Sequence, residues 1–169
     1  IDEKTQKEIN EKYSKILKDY INEKSKDIKS EKGTVEVDGK EKKCTKLTLK
    51  LNEKDIKKLA KKYLDAFAKD DQLKEILTNS AQSYAEVMKT AGDTTSAKNI
   101  TNAVDELYNN IDKIKEEIDN ADFTANIKLV VYSSNTNVYR TDIILDVEDT
   151  EVSVETTFNK DDTTTTISV

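Results

Sequence analysis

The sequence predicts an α+β fold: an antiparallel sheet of about six strands, made of an early hairpin and a C-terminal meander, with amphipathic helices packed on one face. Three observations carry that expectation. Apolar residues recur every three or four positions through most of residues 3–119, which is the period of a helix. Residues 35–51 break this rhythm and alternate around an Asp-Gly turn. From Phe123 onward the period is two. At 169 residues the chain suits one domain, 1–169, expected to be part of a longer protein. Its core must be lean, because 37% of residues are charged and 35% hydrophobic. Leu, Ile, Val and Phe still make up just under a quarter, above the roughly 20% line at which highly charged chains stop folding. No window approaches the ~18 consecutive apolar residues of a membrane-spanning helix.

The elements follow in order. Ile9, Tyr13, Ile16, Leu17, Tyr20, Ile21 and Ile28 form one stripe, predicting a helix from residue 3 to about 29 that Gly33 ends. Val35 and Val37 lead into Asp38-Gly39, and Leu47, Leu49 and Leu51 alternate beyond it. A two-residue loop would put the valines on the face of Lys42 and Lys46, so an odd-length bulged turn is expected, pairing valines with leucines on one face. Asn52 and Asp55 form a weak capping box for a helix carrying Ile56, Leu59, Ala60, Tyr63, Leu64 and Phe67. Asp70 or Asp71 opens a short continuation through Leu77, and a further helix around Tyr84, Val87 and Met88 stops near Gly92. Residues 97–119 read as one helix. Then Phe123 to Val131, Tyr139 to Val147, Val152 to Phe158 and a strand ending in Ile167 and Val169 form the meander, with a polar turn from Ser133 to Asn137. Two of these strands are long, which favours a strongly twisted or curved sheet. The Thr163–Thr166 run suits an edge strand.

Composition excludes most recognisable chemistry. There is no His, Trp or Pro, one Cys and three Gly. Histidine triads and imidazole zinc sites are closed, and Gly33, Gly39 and Gly92 are too scattered to cradle a phosphate. Cys44 has no partner for a disulfide or a metal cluster, and reads as a small buried residue. The carboxylate groups Asp70-Asp71, Glu116-Glu117 with Asp119 and Asp122, and Asp161-Asp162 lack the spacing and turn glycine of a calcium loop, and read as turns and caps. A glycosidase pair would want aromatic sugar platforms; a Ser or Thr activated by a buried lysine stays open. The expectation is therefore a protein that is not an enzyme and uses no cofactor or metal. Tyr13, Tyr20, Tyr63, Tyr84 and Tyr108 fall on helical stripes and read as core or core edge. Tyr132 sits off its strand's apolar face and reads as part of an exposed patch.

Charge is unevenly shared. Residues 1–62 carry 19 lysines against 13 acids, whereas residues 63–169 carry nine basic against 21 acidic residues. The lysines and glutamates read first as solvating exposed helix faces; the functional alternative is that the lysine-rich part faces an anionic surface, either a membrane or a cell-wall polymer. With one arginine and a negative total, nucleic acid is not an expected partner. Ile100, Val104, Leu107, Ile111, Ile114 and Ile118 recur at coiled-coil spacing, but for fewer than three heptads; they read first as packing within the chain, and alternatively as the candidate interface of a homo-oligomer.

The stretch from Val35 to Asp55, followed by its lysine-rich amphipathic helix (residues 33–68 in all), resembles a segment of uncharacterised lipid-anchored, secreted proteins of clostridia and related Gram-positive bacteria. The resemblance implies an extracytoplasmic setting, with a signal and a lipid-attachment cysteine before Ile1; Cys44 is not that cysteine. The layout is also similar to carriers that hold acyl chains between a curved sheet and its helices. The functional expectation is thus a non-enzymatic binding or scaffolding domain of a surface lipoprotein. The alternatives are a lipid carrier and a homo-oligomeric module using residues 100–118.

Overall fold

The computed structural model describes residues 2–135 and 137–169. Among them lie five α-helices and six strands, the strands forming one antiparallel sheet in chain order, so the α+β expectation holds. The Asp2 carboxylate accepts the Thr5 N–H at 2.8 Å and starts α1 (Glu3–Glu23). That helix ends earlier than its apolar stripe suggests. No apolar residue separates Ile21 from Ile28, a single 3₁₀ turn occupies Ser25–Asp27, and β1 begins at Lys29. Gly33 is therefore no helix stop. It lies in the middle of β1 (Lys29–Val37), opposite Cys44 of β2 (Lys40–Leu51).

The hairpin corrects the expected turn. Asp38 (φ 54°) and Gly39 (φ 69°) are both left-handed, and Val37 pairs directly with Lys40. This two-residue loop has the backbone twist that antiparallel hairpins favour. Val35 and Val37 consequently leave the leucine face. They form a separate buried cluster with Cys44, against which Tyr132 and Tyr139 pack. The expected bulged turn assumed that only one face of the sheet buries apolar groups; both faces do.

Asn52 and Asp55 form the capping box reciprocally, each side chain accepting the other's N–H at 3.0 and 3.1 Å, and open α2 (Glu53–Ala68). The Asp70 carboxylate accepts the Leu73 N–H and opens α3 (Asp71–Thr90). Where a short continuation and a second helix were expected, α3 is unbroken: no Gly or Pro interrupts it, and Ala81 and Ala85 are its buried positions. Tyr84 is exposed, correcting its reading as core or core edge, and so is Val87. Gly92 (φ 86°) follows the helix as expected, and Asp93 caps α4 (Thr94–Asn109) by accepting the Ser96 N–H. The expected single helix over residues 97–119 breaks at Asn110, whose side chain donates back to the Glu106 carbonyl at 2.6 Å and competes with helix continuation. α5 (Ile111–Asn120) starts afresh.

The meander comprises β3 (Ala125–Ser134), β4 (Asn137–Val147), β5 (Thr150–Phe158) and β6 (Thr163–Ser168). Thr136, within the expected Ser133–Asn137 turn, lies outside the described residues, as does Ile1. β2 pairs with β3, joining hairpin and meander in one sheet. A register shift at Tyr132/Ser133 gives β4 an extra residue, which turns Tyr139 away from the Thr141–Ile143 face and toward Tyr132. At the same end of the sheet the Asp38 N–H donates to the Asn159 side chain at 3.3 Å, tying the first hairpin turn to the β5–β6 turn. The sheet is therefore curved, as its long strands suggest.

The chain divides into two compact units. One, helical, contains residues up to Asp19 and Leu59–Ala121. The other contains Tyr20–Lys58 and Asp122–Val169, which includes the whole sheet, the end of α1 and the start of α2.

Candidate functional site

Residues paired across an antiparallel ladder share a face. Tracing the register from β2 outward gives a row, Leu49–Leu129–Ile143–Val154–Ile167, that crosses five strands without a polar interruption. Beside it runs Leu51–Ile127–Leu145–Val152. Along the first row Leu49 is 4% exposed, Ile143 48% and Ile167 67%, with Leu129 and Val154 half-buried between them. Leu51 is likewise buried and Leu145 exposed. Ile143 and Leu145 of β4 and Ile167 of β6 are joined through the half-buried Val152 and Val154 of β5 into an aliphatic patch, which is uncommon unless it meets something.

The opposite face buries Val35, Val37, Cys44 and Val130 and carries beside them a matched polar cluster. The single arginine, Arg140, donates through Nε and Nη2 to both oxygens of Asp142, at 2.7 and 3.0 Å, and its Nη2 also reaches Glu155 at 2.6 Å. Its guanidinium lies 5.2 Å from the Tyr132 ring centre, and Lys42 lies 5.3 Å from that of Tyr139. The hydrogen bonds to Asp142 hold Arg140 above its ordinary pKa, and burial pushes the Tyr132 phenol up. Tyr132 is half-buried against Val35, Val37 and Cys44, which corrects its reading as part of an exposed patch.

Two more carboxylates are held by built partners. Burial alone would raise Asp70, but Lys12 at 2.8 Å, the Leu73 N–H and the Tyr13 hydroxyl together keep it below the usual range. Burial likewise opposes ionisation of Asp55, and Lys24, the Asn52 N–H and the Tyr20 hydroxyl outweigh it. Burial, aided by that hydrogen bond, pushes Tyr20 up to about 12. These groups cap helices and tie elements together; each is spent on the fold. No group of three His, Cys, Asp or Glu side chains suited to a metal occurs among the described residues.

The candidate interface does not lie on one helix. Ile100, Val104 and Leu107 belong to α4, and Ile111, Ile114 and Ile118 to α5. Ile111 is buried at 4%, Leu107 is 40% exposed, and the other four are half-buried. Asp71, Glu116, Glu117, Asp122, Asp161 and Asp162 are exposed, and Cys44 is buried and free. In the lysine-rich part, Lys12, Lys24, Lys46, Lys57, Lys58 and Lys61 are paired with Asp70, Asp55, Glu31, Glu53, Glu23 and Asp119, so part of that positive charge is matched within the chain. The aliphatic rows were not read from sequence. Their signal was present in the alternation of β3, β4 and β5, but it needed the Val147–Thr150 pairing, which carries odd positions of β4 onto even positions of β5.

The fold and surface define an α+β protein with a half-exposed, curved antiparallel sheet. Comparison with protein-family models, with curated proteins and with solved structures found no match.

Proposed function

We propose that this is a non-catalytic binding domain that holds an apolar partner along the outer aliphatic rows of its sheet. The exposure of Ile143, Leu145 and Ile167 on one face of the sheet carries this reading. Burying such side chains on association stabilises a complex by about 25 cal/mol per Å² of apolar area. The resemblance of Val35–Asp55 supports an extracytoplasmic setting. The unbroken aliphatic character of the Leu49–Ile167 row also favours a carrier reading, in which an acyl chain is the occupant.

Titration with anilinonaphthalene sulfonate, which brightens on apolar surface, tests the face. Wild type is expected to enhance the dye, and the double variant Ile143→Asp, Ile167→Asp to lose most of the enhancement while keeping its far-UV circular dichroism. A wild type that leaves the dye dark, or a variant that brightens it equally, overturns the reading. Native mass spectrometry of protein from its own membrane fraction then separates the occupants. A solvent-removable mass of several hundred daltons would assign the face to lipid.

A further inference from the structure

We propose that β6 is a pairing edge, and that its occupant is β6 of a second copy of this chain, joined antiparallel about a two-fold axis normal to the sheet. The two edges of the sheet are built differently. β1 places Lys29, Glu31, Lys32 and Glu36 at exposed positions, the kind of charged edge that resists an added strand. β6 carries no charge in a chain where 37% of residues are charged, and all six of its residues are exposed. It is hydrogen-bonded to β5 on one side, so alternate N–H and C=O groups point outward on the other.

Those outward groups call for a strand, and the sequence of β6 favours its own copy. A two-fold axis sets a strand against itself reversed, so a charge near the axis would meet its own copy at close range. Of the six strands, β6 alone has none. Threonine set against threonine makes favourable cross-strand pairs, as the Thr156 and Thr165 hydroxyls already do at 3.3 Å across β5 and β6. Pairing β6 with β1 of another copy would be head-to-tail and open-ended, and the charges of β1 oppose it. The isologous pair closes on itself. Its axis keeps the same face of both copies on one side, so the row ending at Ile167 continues into the neighbour.

This pairing does not rest on the binding reading above, and its test reads self-association rather than dye or lipid binding. Sedimentation velocity of wild type over a wide concentration range is expected to show a reversible monomer–dimer equilibrium. Thr164→Lys with Thr166→Lys, both on the polar face of the edge, is expected to weaken it about tenfold or more with unchanged circular dichroism. A wild type that stays monomeric throughout overturns the proposal. So does a lysine variant that dimerises as well as wild type, or a dimer abolished by Leu107→Asp and untouched at Thr164 and Thr166. Should the lysine variant fail to fold, hydrogen exchange of wild type decides. Amides of β6 should slow as concentration rises, and exchange independent of concentration overturns the pairing.

Discussion

The helical unit and the sheet unit bury different things. Among the helical residues the buried apolar side chains are Ala81, Ala85, Ala97 and Ile111, beside the charged Asp70. The sheet unit buries Tyr20, Val35, Val37, Cys44, Leu49, Leu51, Ala125 and Val130. Small side chains let helices approach closely but remove little area from water, so the helical unit leans on caps, aromatic stacking and ion pairs. Tyr13 stacks on Tyr63, and Phe67 lies 4.6 Å from Tyr108, whose buried hydroxyl finds no hydrogen-bond partner among the described residues. The sheet unit instead combines long-range strand pairing with bulky aliphatic burial. The two units thus differ in which side chains they bury fully, bulky aliphatic and aromatic ones in the sheet unit and mostly alanines in the helical one.

The largest break in this comparison is expected at Leu51, almost fully buried in the sheet unit. Leu51→Ala should cost about 2–5 kcal/mol in denaturant unfolding, whereas Leu107→Ala, at an exposed position of α4, should cost under about 1 kcal/mol. Equal losses would show that the two units do not differ in what holds them. Next comes Asp70. Asp70→Ala removes a cap and leaves Lys12 and Tyr13 without their acceptor, which is expected to cost about 2–4 kcal/mol. The sign with pH follows from its lowered pKa. The stabilisation is complete above the unfolded value near 3.9 and drains as pH falls through the lower folded value. Wild type should therefore lose stability on acidification below about pH 4, and the alanine variant should lose less over the same interval. The smallest effect is a gain. Asp149 sits at φ 65° in the β4–β5 turn, and Asp149→Gly is expected to raise the unfolding free energy by about 0.5–1 kcal/mol. A loss there would mean that the Asp149 side chain supports the turn.

Much of the fold was legible in the sequence because it was set by local chemistry. The Asn52/Asp55 box, the Asp70 and Asp93 caps, the turn at Gly92 and the alternation of β3 to β5 each depend on neighbours a few residues away. What escaped depended on distant partners. The end of α1 was hidden because Lys29–Thr34 has no apolar alternation of its own; it is a strand because β2 offers it a ladder. The parity of the hairpin was hidden because Tyr132 and Tyr139, nearly a hundred residues on, supply the second apolar face, and Tyr139 reaches it only through a bulge. The break at Asn110 was hidden because isoleucine spacing continues smoothly across it. For the candidate site, the residue types were visible but the exposure was not. Alternation marks a strand as half-buried without saying which of its neighbours leave it open.

The pairing of β2 with β3 also orders events in time. The first two strands can close around Asp38-Gly39 as soon as they exist, and β3 to β6 can form by successive short turns, each on the microsecond scale of hairpins. The seam between Leu51 and Ile127 must instead bring together chain ends separated by the whole run of α2 to α5. On a ribosome, β2 therefore emerges well before β3, and the seam can close only after those helices are made. Lysines stand along β2 at positions 40, 42, 43, 46 and 50, the kind of charge that disfavours a wrong strand pairing.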